Sequence, residues 1–203
     1  MRTKAAVAVL TVVALVICGC GSIPQSKYYQ LQVPPQTAPT ATADSLPIVL
    51  LVGLLKSSHL YREDRLVYAT ETEQMGTYQE QRWAAPPVEM LRELLWRTLR
   101  ASHHYSGVHL LTSSSHGDFV LEGNLYDFKE VSGGSLLARM NLELDLKDTK
   151  TGAVVWTHNC SHDEPVSSKD VPAVVAALDR NAHRCMSNVE AGLSEYFAAN
   201  GKK

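Results

Sequence analysis

Residues 136–147, with the sequence LLARMNLELDLK, carry the clearest structural pattern in the chain. Apolar side chains occupy every even position from Leu136 to Leu146, whereas most odd positions, such as Arg139 and Glu143, are polar or charged. A period of two residues is typical of a β-strand that buries one face and exposes the other. The pattern therefore predicts a long, half-buried strand.

The segments on either side of this strand predict its neighbours. Residues 148–152, DTKTG, have the composition of a hairpin turn that leads into a strand over residues 153–161. Further strands are predicted over residues 28–33, 48–54, 66–70, 77–83 and 118–128. Apart from Gly53, the run at 48–54 is aliphatic, which is typical of a strand buried on both faces.

Two amphipathic helices are predicted, one after each group of strands. The first begins at Pro86-Pro87, because proline is tolerated in the first turn, and ends near Ser102. Its apolar stripe consists of Val88, Leu91, Leu95 and Leu99. The second helix has a similar stripe between residues 171 and 196. We therefore expect an α+β fold, in which an antiparallel sheet carries two amphipathic helices packed on one face, in the order strands, helix, strands, helix.

The beginning of the chain has the features of an export signal. Two basic residues precede an apolar run over residues 5–17, which is shorter than the about 20 residues needed to span a bilayer. The run ends in Ile17-Cys18-Gly19-Cys20, which resembles the bacterial lipobox, with a small residue before the cysteine to be acylated. We therefore predict a lipoprotein signal peptide over residues 1–19 and lipid attachment at Cys20.

The rest of the chain follows this anchor. We expect residues 20–27 to form a lipidated tether, residues 28–203 a single domain, and residues 34–47, rich in Pro, Thr and Ala, a mobile loop. Gly21 takes the place of Asp after the acylated cysteine, and by analogy with the sorting rule of enteric bacteria this favours the outer membrane, with the domain facing the periplasm. No cofactor is expected apart from covalent acyl chains, such as palmitate, on Cys20.

Composition and motifs argue against several classes of function. The chain has 19 basic and 21 acidic residues, and a mildly acidic protein is a poor binder of nucleic acid. The eight histidines, including His158 and His162, lack ligand spacing with a carboxylate partner, so no metal site is expected. No G-x-S-x-G elbow or other pairing of nucleophile and base is present, so no catalytic residue and no enzymatic activity are predicted.

Two further cysteines, Cys160 and Cys185, both point inward in their predicted elements. Cys160 shares a strand face with Trp156, and Cys185 shares a helix face with Leu178 and Val189. In an oxidising periplasm two such cysteines can pair. The sequence leaves open whether they form a disulfide or remain two buried free thiols, because it does not supply the Cα separation that the bond requires.

Several segments of the chain match a known family pattern. They are Tyr28-Tyr29-Gln30-Leu31, the aliphatic run 48–53, Leu60-Tyr61 with residues 65–68, Tyr78 with residues 81–87, residues 118–123 and residues 151–156. Together they resemble the ABC-type transport auxiliary lipoprotein family over nearly the whole mature chain. Residues 61–65 are more charged and differently spaced than the family's usual stretch, and the Pro/Thr/Ala insert is longer.

The resemblance implies a non-catalytic role in the cell envelope. Members of the family work with transport systems that carry mammalian cell entry domains and move lipid or other apolar cargo between membranes. The implied partner is a mammalian cell entry domain protein, and self-association of the lipoprotein is left open. Two rival functions remain: a carrier that holds a lipid or small apolar ligand between sheet and helices, and an unrecognised periplasmic hydrolase.

The family-like segments also supply a candidate partner surface, which consists of Tyr61, Arg65, Arg82 and Trp83. Trp and Arg are enriched at interface hot spots, which favours a contact role for Arg82-Trp83. In the alternative interpretation, Trp83 packs beneath the following helix and Arg82 bonds a nearby carboxylate or carbonyl.

Overall fold

A computed structural model of the chain describes residues 25–35, 45–72 and 74–200. The predicted signal peptide, Cys20 and most of the predicted loop over residues 34–47 lie outside these ranges. Within them, eight strands form one sheet, and two α-helices and a short 3-10 helix complete the fold. No helix in this part of the chain is long and apolar enough to cross a membrane.

The strands, in chain order, are β1 (Lys27–Tyr29), β2 (Leu46–Ser57), β3 (Arg65–Ala69), β4 (Met75–Trp83), β5 (Tyr105–Leu110), β6 (Phe119–Val131), β7 (Leu137–Asp148) and β8 (Val154–Pro165). Helix α1 (Pro87–Ala101) follows β4, and helix α2 (Val171–Asn200) follows β8. The 3-10 helix His59–Tyr61 interrupts the first group of strands, so the order is less simple than the predicted strands, helix, strands, helix.

Strand β6 lies at the centre of the sheet. One edge of β6 pairs antiparallel with β7 along nearly its whole length, and β7 pairs antiparallel with β8. The other edge is shared by two strands that run parallel to β6: β2 pairs with its first half and β3 with its end. Strand β5 adds in parallel to β2, while β4 adds antiparallel to β3 and carries β1 in parallel. The sheet is therefore mixed, and the prediction of an antiparallel sheet is wrong.

The parallel pairs arise from long connections. Antiparallel strands can be joined by a two-residue turn, whereas parallel strands need a crossover of about a dozen residues or more. Strands β2 and β5 are separated in the chain by β3, β4 and α1, and this connection brings the chain back in the direction of β2. Only the hairpins have the short loops that local sequence patterns can reveal.

The two α-helices lie on the apolar face of the sheet. The even positions of β7, from Ala138 to Leu146, are fully buried, as their alternation predicts. Helix α1 packs on β2 and β5, helix α2 packs on β7 and β8, and the two helices contact each other. Burial of a leucine side chain stabilises the fold by about 1.5–3 kcal/mol, so this layer holds helices and sheet together.

Helix α2 is attached to β8 by a covalent bond and begins with a side-chain cap. Cys160 and Cys185 form a disulfide, with their Cα atoms 5.5 Å apart. The backbone N–H of Ala173 donates to Asp170 Oδ1 at 2.8 Å, which satisfies one of the free donors of the first turn. The position of α2 is therefore determined at its start and again near its middle.

Candidate functional site

Two members of the predicted partner surface lie in the protein core. The side chain of Trp83 is fully buried, and its ring centroid lies 5.4 Å from that of Phe128. Tyr61 is 1% exposed, and its hydroxyl donates to Asp127 Oδ1 at 3.4 Å. Burial raises the pKa of Tyr61 well above its ordinary value, and the charge of Asp127 raises it further, so the hydroxyl stays protonated. Tyr61 and Trp83 thus stabilise the interior and cannot contact a partner in this conformation.

The two arginines of the predicted surface lie on paired strands. Arg65 of β3 is opposite Arg82 of β4 in the sheet register, and both side chains are partly exposed. Arg82 Nη1 donates to Asp64 Oδ1 at 2.7 Å, so Arg82 bonds a nearby carboxylate, as the alternative interpretation predicts. The structure therefore does not bring the four residues together as one exposed patch.

A different exposed feature lies at the end of β2. Leu54 is 67% exposed although it belongs to an aliphatic strand whose neighbours Leu51 and Val52 are buried. The pairing of β2 with β6 shifts register between Val52 and Leu55, and such irregularities redirect side chains. Sequence reasoning missed Leu54, because this aliphatic run, in which only Gly53 differs, has no alternation that marks one member as outward.

Leu54 borders a groove of about 340 Å³ between β2, β5 and α1. Its lining consists of Leu54, Leu55, Val88, Glu89, Arg92, Glu93, Trp96 and Leu110. Five of these eight lining residues are apolar and three are charged. An exposed apolar depression of this kind marks a ligand-binding or partner-binding site more often than a random surface does.

The polar side chains of the groove either bond the backbone of the sheet or face solvent. Arg92 Nη2 donates to the carbonyls of Val52 at 3.1 Å and Leu111 at 3.3 Å, which fastens α1 to the sheet. Trp96 Nε1 donates to the Val108 carbonyl at 3.0 Å and therefore has a fixed orientation. Glu89 and Glu93 are exposed at the rim of the groove, and Glu93 forms an ion pair with Arg97. The acidic character of the rim therefore comes from Glu89. The arrangement can receive an apolar side chain that has positive charge beside it.

The histidines do not assemble a metal site. His158 and His162 lie on β8, and burial lowers the pKa of His158 below its ordinary value, with a smaller contribution from His162. In the described ranges, no three His, Cys, Asp or Glu side chains are grouped as metal ligands. The groove therefore remains the candidate site.

Comparison of the sequence with protein families gives one match. Residues 29–189 match the family model described as the ABC-type transport auxiliary lipoprotein component. No curated protein matches the chain.

Two solved structures with TM-scores above 0.5 share the fold at low sequence identity. A protein from Xanthomonas campestris of the family model DUF330 is 18% identical, with 87% of this chain and 100% of that chain covered and a TM-score of 0.75. An uncharacterized protein is 16% identical, with 84% and 99% covered and a TM-score of 0.66. PelC from Paraburkholderia phytofirmans, solved as a dodecamer, is 18% identical, with 74% and 93% covered and a TM-score of only 0.46.

Proposed function

Because the chain belongs to the family of ABC-type transport auxiliary lipoprotein components, we propose that it is a non-catalytic accessory component of a transporter that contains mammalian cell entry domains and moves lipid between membranes. In this proposal the acyl chains on Cys20 hold it at the outer membrane, and the domain faces the periplasm. Its role is to bind the transporter protein and keep it at the membrane surface.

The observation that carries the proposal is the exposed Leu54 beside the groove. An isolated leucine on a surface is common, but this one borders further apolar surface from Leu55, Val88 and Trp96. A partner that inserts an apolar side chain here removes that surface from water, which contributes about 25 cal/mol per Å². The exposed Glu89 at the rim favours a basic residue next to the inserted side chain, since opposite charges steer association and select the partner.

Because of the predicted lipid anchor, a small groove is sufficient to hold the partner protein. A tether to the membrane raises the effective concentration of any partner that reaches the same surface. Even a weak contact at Leu54 then holds an assembly together. The described domain does not need the large interface of a permanent complex.

The apolar lining also gives the carrier function a specific basis. A groove of about 340 Å³ lies at the lower end of the range for small-molecule sites, which is about 300–1,000 Å³. It is therefore small for a lipid with two acyl chains. Extraction of the purified full chain with organic solvent distinguishes the two functions, because a carrier releases bound lipid and an accessory component does not.

A pair of matched variants tests the accessory role. Leu54→Glu places a charge in the groove, whereas Val154→Glu places the same charge at a residue of β8 that is also exposed, by 49%. We expect Leu54→Glu to weaken binding of the full chain to a purified mammalian cell entry domain protein from the same genome by about tenfold or more, and Val154→Glu to bind like the wild type. Equal binding by both variants contradicts the proposal. Wild-type protein that binds no such partner and releases lipid supports the carrier instead.

A further inference from the structure

A second pocket shares no lining residue with the groove. It has a volume of about 310 Å³ and lies between the β6–β7 hairpin and the start of α2. The residues that matter for its chemistry are Tyr78, Glu130, Ser132, Gly134, Ser135 and Lys169. The accessory role proposed above does not use this pocket.

Glu130 is a buried carboxylate that two hydroxyl groups contact. Its side chain belongs to a residue that is 7% exposed, and it accepts hydrogen bonds from the Tyr78 hydroxyl at 2.8 Å and the Ser132 hydroxyl at 3.1 Å. Burial raises the pKa of Tyr78, and the hydrogen bond to Glu130 raises it further, so this hydroxyl remains a donor. Among the residues that the structure describes, no Lys, Arg or His forms an ion pair with Glu130.

An ionised carboxylate has about four acceptor positions, and here two hydroxyls use one on each oxygen. A buried charge is costly unless it is paired and hydrogen-bonded. A donor with positive charge that enters the pocket would use the remaining positions and neutralise the buried carboxylate. The chemistry of Glu130 therefore fits a primary ammonium group, which offers three donors.

Lys169 lines the same pocket with the opposite charge. It is exposed, and within the described part of the chain it has no ion-pair partner. Asp170, which follows it, is already engaged by the Ser168 hydroxyl and the Ala173 backbone N–H. Within the described residues, the pocket lining thus contains the Glu130 carboxylate and the Lys169 ammonium group, neither of which has an ion-pair partner, beside the engaged carboxylate of Asp170. The space beside Gly134 is open, because a Cβ added there would meet no atom within 4 Å, whereas a Cβ added at Gly133 would meet Glu71 Oε1 at 3.2 Å.

We propose that this pocket binds a zwitterion with a primary ammonium group close to a phosphate, the chemistry of phosphoethanolamine. The ammonium donates to Glu130, and the phosphate lies near Lys169 and the hydroxyl of Ser135. Such a group exists as a free molecule and as the headgroup of a phospholipid. The site distinguishes it from a trimethylated ammonium, which has no N–H to donate to the carboxylate.

Calorimetric titration of the detergent-solubilised full chain tests this assignment. We expect the wild type to bind phosphoethanolamine and Glu130→Gln to bind it about tenfold or more weakly. The control variant Glu195→Gln, at an exposed glutamate of α2, should bind phosphoethanolamine like the wild type. Lys169→Met should weaken the binding of phosphoethanolamine but leave the binding of ethanolamine unchanged. Thermal unfolding of each variant reveals whether Glu130→Gln still folds. If it does not fold, Lys169→Met alone provides the test.

Short-chain lipids identify the source of the group. Binding of dihexanoyl phosphatidylethanolamine, with no response to the matching phosphatidylcholine, supports the site and assigns it to a lipid headgroup. Binding of phosphoethanolamine alone supports the site and assigns it to a soluble molecule. The proposal is overturned if phosphoethanolamine gives no binding heat, or if both Glu130→Gln and Lys169→Met bind it as tightly as the wild type.

Discussion

Trp83 shows how one residue type serves two different purposes. Tryptophan is enriched at interfaces because it combines a large apolar area with a polar N–H, and the same area makes it a strong core residue. Here the whole side chain is buried beside Phe128, and Trp83 Nε1 has no hydrogen-bond partner in the described part of the chain. The unused N–H is the part of Trp83 that does not stabilise the core.

Trp83→Ala should therefore destabilise the domain strongly. Removal of a buried aromatic ring costs about 3–5 kcal/mol, since the neighbours fill the cavity only in part. Chemical denaturation measures the free energy of unfolding. Tyr126→Ala provides the control, because Tyr126 is 50% exposed and its loss should change stability by less than about 0.5 kcal/mol. A Trp83→Ala protein of native stability that no longer binds its partner would instead make Trp83 a contact residue.

The sequence could not decide between these two purposes at Trp83. The residues before it, TYQEQR, do not alternate regularly between apolar and polar, so the face of Trp83 is not determined by periodicity. Leu54 presents the converse problem, because it lies in an aliphatic run and is exposed by an irregularity in strand pairing. Both outcomes depend on residues far away in the chain, which local patterns do not report.

Asp170 gives a pH-dependent test at the start of α2. Hydrogen bonds from the Ser168 hydroxyl and the Ala173 backbone N–H lower the pKa of Asp170 below its ordinary value. A carboxylate with a lowered pKa in the folded state stabilises the fold above the ordinary pKa of about 3.9, and this contribution is lost as the pH falls through the folded-state pKa. Asp170→Ala should therefore melt below the wild type at pH 7, and the difference should shrink toward about pH 3.

Asp170→Asn is the matched control for this test. Asparagine caps helices about as well as aspartate but carries no charge, so its melting temperature relative to Asp170→Ala should depend little on pH. A wild-type advantage over Asp170→Ala that stays constant from neutral to acidic pH would contradict the assigned charge effect.

At the scale of elements, the disulfide attaches α2 to an edge strand. Strand β8 pairs only with β7 within the described residues, and the bond between Cys160 and Cys185 closes a loop with a sequence separation of 25 residues. Asn181, one turn before Cys185, adds a buried hydrogen bond of 2.8 Å from its side-chain amide to the Ala138 carbonyl. The disulfide thus holds α2 on β8, and the hydrogen bond holds it on the neighbouring strand β7.

Loss of the disulfide should cost about 3 kcal/mol, because cross-linking of a loop of this length reduces the entropy of the unfolded chain by about that amount. The double variant Cys160→Ala/Cys185→Ala should unfold at lower denaturant than the oxidised wild type, and addition of a reductant should destabilise only the wild type. Peptide mapping under non-reducing conditions checks the bond directly. Two free thiols in protein purified from the periplasm would contradict it.

The elements themselves were predicted better than their arrangement. The β7–β8 hairpin, the helix after Pro86-Pro87 and the long second helix follow from periodicity and turn composition. The parallel pairs of β2 with β5 and β6 do not, because each joins segments that are distant in the chain. Strand β2 also extends to Ser57, beyond the aliphatic residues that identify it.

At the scale of the whole molecule, the family match over residues 29–189 shows that the chain belongs to the ABC-type transport auxiliary lipoprotein components. The fold supplies a mixed sheet with two helices, and the groove beside Leu54 lies at one margin of the sheet, where β5 is the edge strand. The central claim is that this margin contacts the transporter protein. The class of partner that the resemblance implies stays a prediction, and the residues singled out as a partner surface include two that are buried, Tyr61 and Trp83.

Site-specific photo-crosslinking in intact cells tests this claim most directly. A photoreactive amino acid replaces Leu54 in one variant and Val154, also exposed but on β8, in the other, and mass spectrometry identifies the products. The accessory role predicts that position 54 captures a protein with mammalian cell entry domains and that position 154 does not. Capture of lipid alone at position 54, or of the same protein equally at both positions, would contradict it.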